Sequence, residues 1–307
     1  MADHSSTRTA YIKEVTPGVT PATPVFKILR ATRAGGLRTN KETAESEEIR
    51  EDGNLAALIQ TGQAVSGPYP FELSYGLLDD WLESVMCGTW STNQLRNGRV
   101  VNSYTVEETR RIGTNSFSRF TNVMASQLDL EVTAKQKITG TLQLMGVRET
   151  LAAAIVTGAT YGSASTEPIM SAGASVGAIT FPGLPAGGKI RSFKLSIANG
   201  LRDQPYIGSL YSDGFGLGQV KVTGEAEVYF SDQAIYNASL QHTAGLVSLI
   251  LGSAANKKYK FDVGQAQIGD GEIVAGGNTD DIMARMPFTG VFDSSTSATL
   301  SVARAVT

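Results

Sequence analysis

The sequence predicts a mainly β protein, a β-sandwich or barrel of antiparallel strands. Three features of the 307 residues support this class. Many short stretches alternate apolar and polar residues, 33 glycines and several Asn-Gly or Asp-Gly pairs favour tight turns, and only 7% of residues are aromatic and 18% charged. The pattern leaves room for one or two short flanking helices and for a long arm loop in the N-terminal half.

The clearest strands lie at 127–132 and 137–144, where apolar and polar residues alternate and predict half-buried strands. The same alternation returns at 192–197 and 221–228. Asn97-Gly98, between strand-like flanks, predicts a hairpin because both turn positions need positive φ. Further strand-like stretches occur at 11–15, 26–31, 71–75, 104–112, 116–123, 285–292 and 298–303.

Two segments have a helical pattern. In the first, apolar residues recur at steps of one, three and four and define one face, formed by Leu77, Leu78, Trp81, Leu82, Val85 and Met86. Asp79, Asp80 and Glu83 fall on the other face, and the two aspartates suit the positive end of the helix dipole. The second segment, 232–251, predicts one or two short helices with Asp232 as N-cap.

We predict one domain, 1–307, built of two similar halves at about 1–150 and 178–307. An Ala-, Gly- and Ser-rich passage, 151–177, joins them. The halves are suggested by an echo, because Lys-Ile-Thr-Gly at 137–140 returns as Lys-Val-Thr-Gly at 221–224. Convergence on a common strand pattern explains the echo equally well.

The segment 39–67 mixes dense charge with a few apolar residues and has no clean period of two. A segment of this length without regular structure is uncommon in a compact domain unless it is functional or disordered. Ile49, Leu55, Leu58 and Ile59 are apolar anchors within it. We interpret it as an arm that orders against a partner; a solvated surface loop is the alternative.

Charge and hydropathy exclude several classes of protein. A net charge of -3 argues against a protein that wraps nucleic acid, because phosphate neutralisation needs a basic surface. The chain has no apolar run of about 18 residues, so we expect no membrane insertion, and its N-terminus has neither a basic start nor a hydrophobic core, so we expect no export signal. The single cysteine, Cys87, excludes an internal disulfide and suits a chain made in a reducing cytoplasm.

No constellation of catalytic, cofactor-binding or metal-ligating residues stands out, so we predict that the protein is not an enzyme. The only histidines, His4 and His242, provide neither a zinc set nor a Ser-His or Cys-His pair. The glycine-rich 214–218 is followed by a strand rather than a helix, unlike a phosphate-binding loop. The acidic 276–281 lacks EF-hand spacing.

The order of motifs in 32–90 is distinctive. An arm with the pattern Ser-x-Glu-Ile-Arg-x-Asp is followed by a Gly-bounded strand and a short acidic, aromatic helix; the matching arm residues are Ser46, Glu48, Ile49, Arg50 and Asp52. In this order the chain resembles the tail tube (major tail) protein family of long-tailed (siphovirus-type) bacteriophages. With less specific motifs, the resemblance covers most of the remaining chain.

The resemblance implies a structural virion protein of the phage tail, made in the host bacterial cytoplasm. It implies six-fold rings that stack into a tube through which double-stranded DNA passes without specific binding. The partners are then other copies of the chain and other tail proteins. The arm residues become candidates for the ring-to-ring contact. Two strands become candidates for lumen or core sheet, with the residues Lys137, Thr139, Thr141, Gln143, Lys221, Thr223, Glu225 and Glu227.

Two alternatives remain from the sequence. One is a non-assembling β-sandwich module, such as a receptor-binding or decoration protein. The other is a carbohydrate-active enzyme, because a glycoside hydrolase needs only two suitably separated carboxylates, although the sequence singles out no such pair.

Overall fold

The computed structural model of the chain describes residues 7–32, 36–112, 114–185 and 187–307. Its first nine strands are β1 Arg8–Lys13, β2 Val25–Ile28, β3 Arg38–Glu45, β4 Leu58–Glu72, β5 Gln94–Arg96, β6 Tyr104–Ile112, β7 Thr114–Thr133, β8 Thr139–Gly146 and β9 Arg148–Ala152. The later strands are β10 Thr160–Tyr161, β11 Val176–Thr180, β12 Ile190–Ala198, β13 Arg202–Asp203, β14 Phe215–Gly216, β15 Lys221–Tyr229, β16 Ala244–Leu251, β17 Tyr259–Ile268, β18 Glu272–Val274, β19 Met283–Val291 and β20 Ser301–Arg304. The helices are α1 Asp79–Val85 and α2 Gln233–Leu240.

Six strands form what we term the central sheet, in the order β4, β8, β7, β12, β15, β19, with every neighbouring pair antiparallel. Alternation explains this arrangement. In β8, Leu142 and Leu144 are buried while Thr141 and Gln143 are partly exposed, so one face packs on the core and the other meets solvent. The predicted mainly β, antiparallel fold with short helices is confirmed.

The longest strand, β7, belongs to two layers. Its first part pairs with β6 and β9, and its second part with β8 and β12. A β-bulge between Ala125 and Gln127 lies close to the change of partners, and a bulge bends a strand. The bend carries β6, with β1 and β2 beyond it, across the core from the central sheet.

At the other side of the central sheet, β19 also pairs with β17, and β17 continues the sheet in two directions. It pairs with β16, which pairs with β11, and separately with β20, which pairs with β5. The sheet therefore curls around one hydrophobic core that includes residues from both predicted halves. The relation of those halves by duplication stays a prediction.

Helix α1 is buried between these layers, which differs in one respect from its predicted two-faced pattern. Asp79 and Asp80 do occupy its first turn. Glu83, predicted on the solvent face, is only 8% exposed. It forms an ion pair with Lys13 of β1 at 2.5 Å and accepts a hydrogen bond from the Trp90 backbone at 3.1 Å. These partners make burial of its charge possible.

The helical prediction for 232–251 is correct for its first part only. Asp232 caps α2, its side chain accepting a hydrogen bond from the Ala234 backbone at 2.8 Å. Residues 244–251, however, form strand β16 rather than a second helix, because β11 and β17 on its two sides satisfy its backbone groups. Neither helix, at seven and eight residues, approaches the length of about 20 residues that crosses a bilayer, and the described residues contain no other helix.

The arm at 39–67 was predicted to be an irregular loop, and most of it is a β-hairpin. Strands β3 and β4 pair from Arg38 opposite Ser66 to Glu45 opposite Leu58, and residues 46–57 connect them. The sequence shows no clean alternation because most of this two-stranded ribbon is exposed to solvent on both faces. Strand β4 then continues into the central sheet, so the arm is a direct extension of it.

Two smaller predictions also change. Asn97-Gly98 does not turn a hairpin; the Asn97 side chain accepts hydrogen bonds from the backbones of Thr299 and Leu300 at 2.8 and 3.1 Å. The passage 151–177 is largely exposed but attached at several points, because β10 pairs with β2 and Ile169 bridges to Ser74.

Three aromatic rings fix α1 to the second layer. The Trp81 ring lies 4.9 Å from both Tyr11 and Tyr104, centroid to centroid, and Trp81 is fully buried. Its indole N–H has no hydrogen-bond partner within the described structure. Position 81 therefore requires a large aromatic ring, and the indole nitrogen of Trp81 contributes no hydrogen bond to any described residue.

We predict that Trp81→Ala lowers the free energy of unfolding by about 3–5 kcal/mol, because it leaves a large cavity. Trp81→Phe keeps most ring contacts and removes an unpaired buried donor, so it should cost clearly less. Urea unfolding followed by far-UV circular dichroism measures both. Equal losses for the two variants would contradict this account of the cluster.

Candidate functional site

The end of the arm is a structured turn. Ser46 donates its backbone N–H to Ala57 across the loop at 2.9 Å. Arg50 makes two hydrogen bonds to the Asp52 carboxylate at 2.7 and 3.0 Å, which lowers the pKa of Asp52. Gly53 donates to the Arg50 carbonyl and has a φ of +67°, a conformation that favours glycine. The predicted motif thus forms its own local turn.

We term residues 45–59 the arm tip, and its apolar side chains are uncovered. Ile49 is 99% exposed, and Leu55, Leu58 and Ile59 are each more than half exposed. These are the anchors predicted from the sequence. Four large apolar residues on one projection are costly to leave in water and are typical of a surface that another protein covers.

The base of the arm, in contrast, is held by a buried carboxylate. Glu108 of β6 accepts hydrogen bonds from the Tyr69 hydroxyl in β4 and from the Leu37 backbone just before β3. Its second oxygen accepts from Arg110 at 2.8 Å. Burial raises the pKa of Glu108, and burial beside this carboxylate raises the pKa of Tyr69 well above its ordinary value. Nothing in the sequence singles out Glu108, because a glutamate on a predicted strand carries no sign of burial.

The candidate lumen or core residues share one face of the central sheet. Thr139, Thr141 and Gln143 of β8 are partly exposed, and so are Thr223, Glu225 and Glu227 of β15, while the residues between them are mostly buried. Lys221 is exposed at the start of β15. Lys137 differs from the prediction, since it precedes β8 and pairs with Glu72. We term this surface the polar face.

The two strands occupy matching places about the centre of the sheet. One row of directly opposed residues crosses all six strands in the order Phe71, Gly140, Leu130, Leu195, Gly224, Phe288. The row reads the same from either end. A Cβ atom added to Gly140 would overlap the Phe71 ring, and one added to Gly224 would overlap the Phe288 ring. Both phenylalanine rings thus pack across a glycine.

A groove of about 590 Å³ lies on this part of the sheet. Its lining includes Asp129, Glu131 and Lys194, which the sequence analysis did not single out although it predicted the alternating strand at 127–132. Lys194 lies directly between Glu131 on β7 and Glu225 on β15. Negative and positive side chains therefore alternate from one strand to the next.

The arrangement offers little for catalysis. Within the described ranges, no three His, Cys, Asp or Glu side chains group as a metal site. Cys87 is buried, and burial raises the pKa of its thiol. The Nδ1 atom of His242 lies 2.7 Å from the Ile268 carbonyl, and His4 lies outside the described residues. The glycine-rich 214–218 contains β14, paired with β13.

The comparison with protein families agrees with the geometry. A model of the family described as phage tail tube protein matches residues 5–290, nearly the whole chain. The chain belongs to the phage tail tube protein family. It is therefore a structural component of the phage virion rather than a member of an enzyme family, and other tail proteins are the expected associates of this tail tube protein. A search of curated proteins found no match.

We predict that Gly140→Ala or Gly224→Ala destabilises this tail tube protein by about 1–3 kcal/mol, the usual cost of overpacking. The added methyl group must displace a buried phenylalanine ring or separate two strands. Gly173→Ala is the control, because a Cβ there meets nothing within 4 Å. Thermal unfolding measures all three variants. If Gly140 and Gly224 tolerate alanine as well as Gly173 does, the phenylalanine rings do not require glycine at these positions.

Proposed function

We propose that this tail tube protein self-assembles into rings that stack into the phage tail tube, the conduit for DNA passage into the host. The observation that carries the proposal is the arm tip, which projects with four apolar residues uncovered. A single copy leaves this surface in water, whereas a neighbouring copy could bury it. The tip is then the ring-to-ring contact, made by Ile49 with Ser46, Glu48, Arg50 and Asp52 as its structured frame.

Lateral contacts within a ring follow from strand edges. In the described part of the chain, β3 pairs only with β4 and β18 only with β19, so each has a free edge. They lie beyond opposite sides of the central sheet. Unpaired edges tend to pair with other chains, and two different edges joined head to tail can close a ring. We propose rings of six copies, as the family resemblance implies.

The polar face is our candidate for the lumen. It carries carboxylates and hydroxyls, and two of its cations, Lys194 and Arg285, lie opposite acidic residues, whereas Lys221 does not. Lys194 lies between Glu131 and Glu225, and Arg285 lies between Glu227 and Glu272 on adjacent strands. Tight binding to the DNA backbone needs cations free to neutralise phosphates. A lumen with compensated cations would let DNA pass without holding it.

Assembly in this proposal takes place in the host bacterial cytoplasm, where the chain is made, and other tail proteins meet the two ends of the tube. The test is the size of the purified protein at rising concentration. Analytical ultracentrifugation should show growth beyond single subunits, and negative-stain electron microscopy should show rings and tubes. A steady monomer at all concentrations would reject assembly and favour a non-assembling module.

We predict that Ile49→Ala combined with Arg50→Ala yields a folded, soluble protein that forms no tubes. The first change removes the most exposed apolar anchor, and the second releases the turn that presents it. Electron microscopy scores tubes, and circular dichroism checks the fold. Ile207→Ala, which removes an equally exposed isoleucine outside the tip, is the control. Unchanged tube formation by the double variant would rule out the role given to the arm.

We also predict that Glu131→Gln combined with Glu225→Gln makes assembled tubes retain DNA. The change leaves Lys194 without its flanking carboxylates, so it can neutralise phosphate. Tubes formed with short linear duplexes are sedimented after nuclease treatment, and the protected DNA is measured. Retention should be strong at about 50 mM salt and lost at about 500 mM, as counterion release requires.

The control for this experiment is Asp270→Asn with Asp281→Asn, which removes two exposed carboxylates outside the six strands. It should behave as the unaltered protein does. If the control retains DNA as well as the polar-face variant, overall charge rather than this face controls retention.

A further inference from the structure

The arm leaves one end of the central sheet, and the turns at the opposite end form a distinct surface. Strand β4 pairs with β8 only from Val65 onward. Residues 58–64 and the paired β3 therefore extend beyond β8 by about 20 Å at the usual rise per residue. At the far end, Glu72 of β4 lies opposite Thr139, where the turn from β7 enters β8.

Three exposed cations meet at this far end. Ala134, next to Lys135, donates its backbone N–H to Arg191 at 2.9 Å, and Tyr229 donates its backbone N–H to Lys189 at 3.0 Å. These bonds place three turns side by side. We term Lys135, Lys189, Arg191 and Tyr229 the basic rim.

The charges of the basic rim are largely uncompensated. Lys135 and Lys189 are exposed and form no ion pair with any described residue. Arg191 forms an ion pair with Glu227 at 3.8 Å and shares that carboxylate with Arg285 at 3.7 Å, so Lys135 and Lys189 are the uncompensated charges of the rim. The ring of Tyr229 adds an apolar surface, since the residue is 40% exposed.

The arm tip has the opposite character. Four exposed glutamates have no ion-pair partner in the described structure, namely Glu45, Glu47, Glu48 and Glu51. Arg50 and Asp52 neutralise each other through their ion pair. The tip is thus negative and apolar, whereas the rim is positive with an exposed aromatic ring.

We propose that the arm tip of one copy docks on the basic rim of a second copy in the next ring of the tube. The inference rests on the proposed function and names the receiving surface. Charge complementarity selects the rim, and the exposed tip side chains gain an apolar partner in Tyr229. Because tip and rim lie at opposite ends of the same strands, the contact is heterologous and repeats without closing. Such a contact propagates along a tube axis.

Charge reversal on both surfaces tests the proposal. The tip variant carries Glu47→Lys, Glu48→Lys and Glu51→Lys, so its tip and rim are both positive. The rim variant carries Lys135→Glu, Lys189→Glu and Arg191→Glu, so both of its surfaces are negative. Each variant alone should form rings but lose tubes, because like charges then meet at every ring contact. Mixed in equal amounts, they should form tubes, since each tip now finds a rim of opposite charge.

The residues changed in the tip and rim variants are all exposed, and circular dichroism checks that each variant is folded. A variant with Arg99→Glu, Arg202→Glu and Lys258→Glu reverses three charges elsewhere and should still form tubes. For the unaltered protein, raising salt from about 0.05 to about 0.5 M should slow the stacking of rings, because exposed charges are screened.

The outcomes separate the two proposals. If the unaltered protein never forms rings or tubes, the proposed function fails and the docking fails with it. If it forms tubes and the rim variant also does, or the mixture of variants does not, the docking site is wrong while the tube remains.

Discussion

The pairing of β7 with β12 is the contact on which the rest of the structure depends. Leu130 lies opposite Leu195 at its centre, although these two residues are 65 positions apart in the chain. A shift of one residue in this register would turn the leucines of one strand to the polar face and its charged residues to the core. The register therefore determines the buried face and the polar face together.

From this pair the sheet is built outward in the same way on both sides. A glycine on the next strand leaves room for a phenylalanine ring from the strand beyond, at Gly140 with Phe71 and at Gly224 with Phe288. The requirement for glycine is steric, because the rings and neighbouring carbonyl groups occupy the space of a side chain. This packing explains the glycine of the repeated Thr-Gly pair, whether or not the halves share an origin.

The arm combines a rigid base with an uncovered end. Its base is fixed by hydrogen bonds to the buried Glu108, and its second strand is part of the central sheet. The direction of the arm is thus set by the core. Its tip is shaped by its own ion pair between Arg50 and Asp52. A preformed tip loses less conformational entropy when a partner covers it than a disordered loop would, which suits a segment proposed to join copies repeatedly.

The sequence by itself determined the class of fold, the faces of the alternating strands, the cap of α2 and the apolar anchors of the arm. These features depend on local pattern, since side chains alternate along a strand whichever strand lies beside it. The order of motifs in 32–90 is likewise a property of the sequence alone, and it indicates the family.

Only the tertiary structure decided which strands are neighbours, that most of the arm is a hairpin, and that Glu83 and Glu108 are buried. It also placed Lys137 outside β8 and gave Asn97 partners near the C-terminus. Each of these depends on residues distant in the chain. The buried carboxylates of Glu83 and Glu108 are stable only because Lys13 and Tyr69 reach them from strands distant in the chain, and local pattern carries no record of such partners.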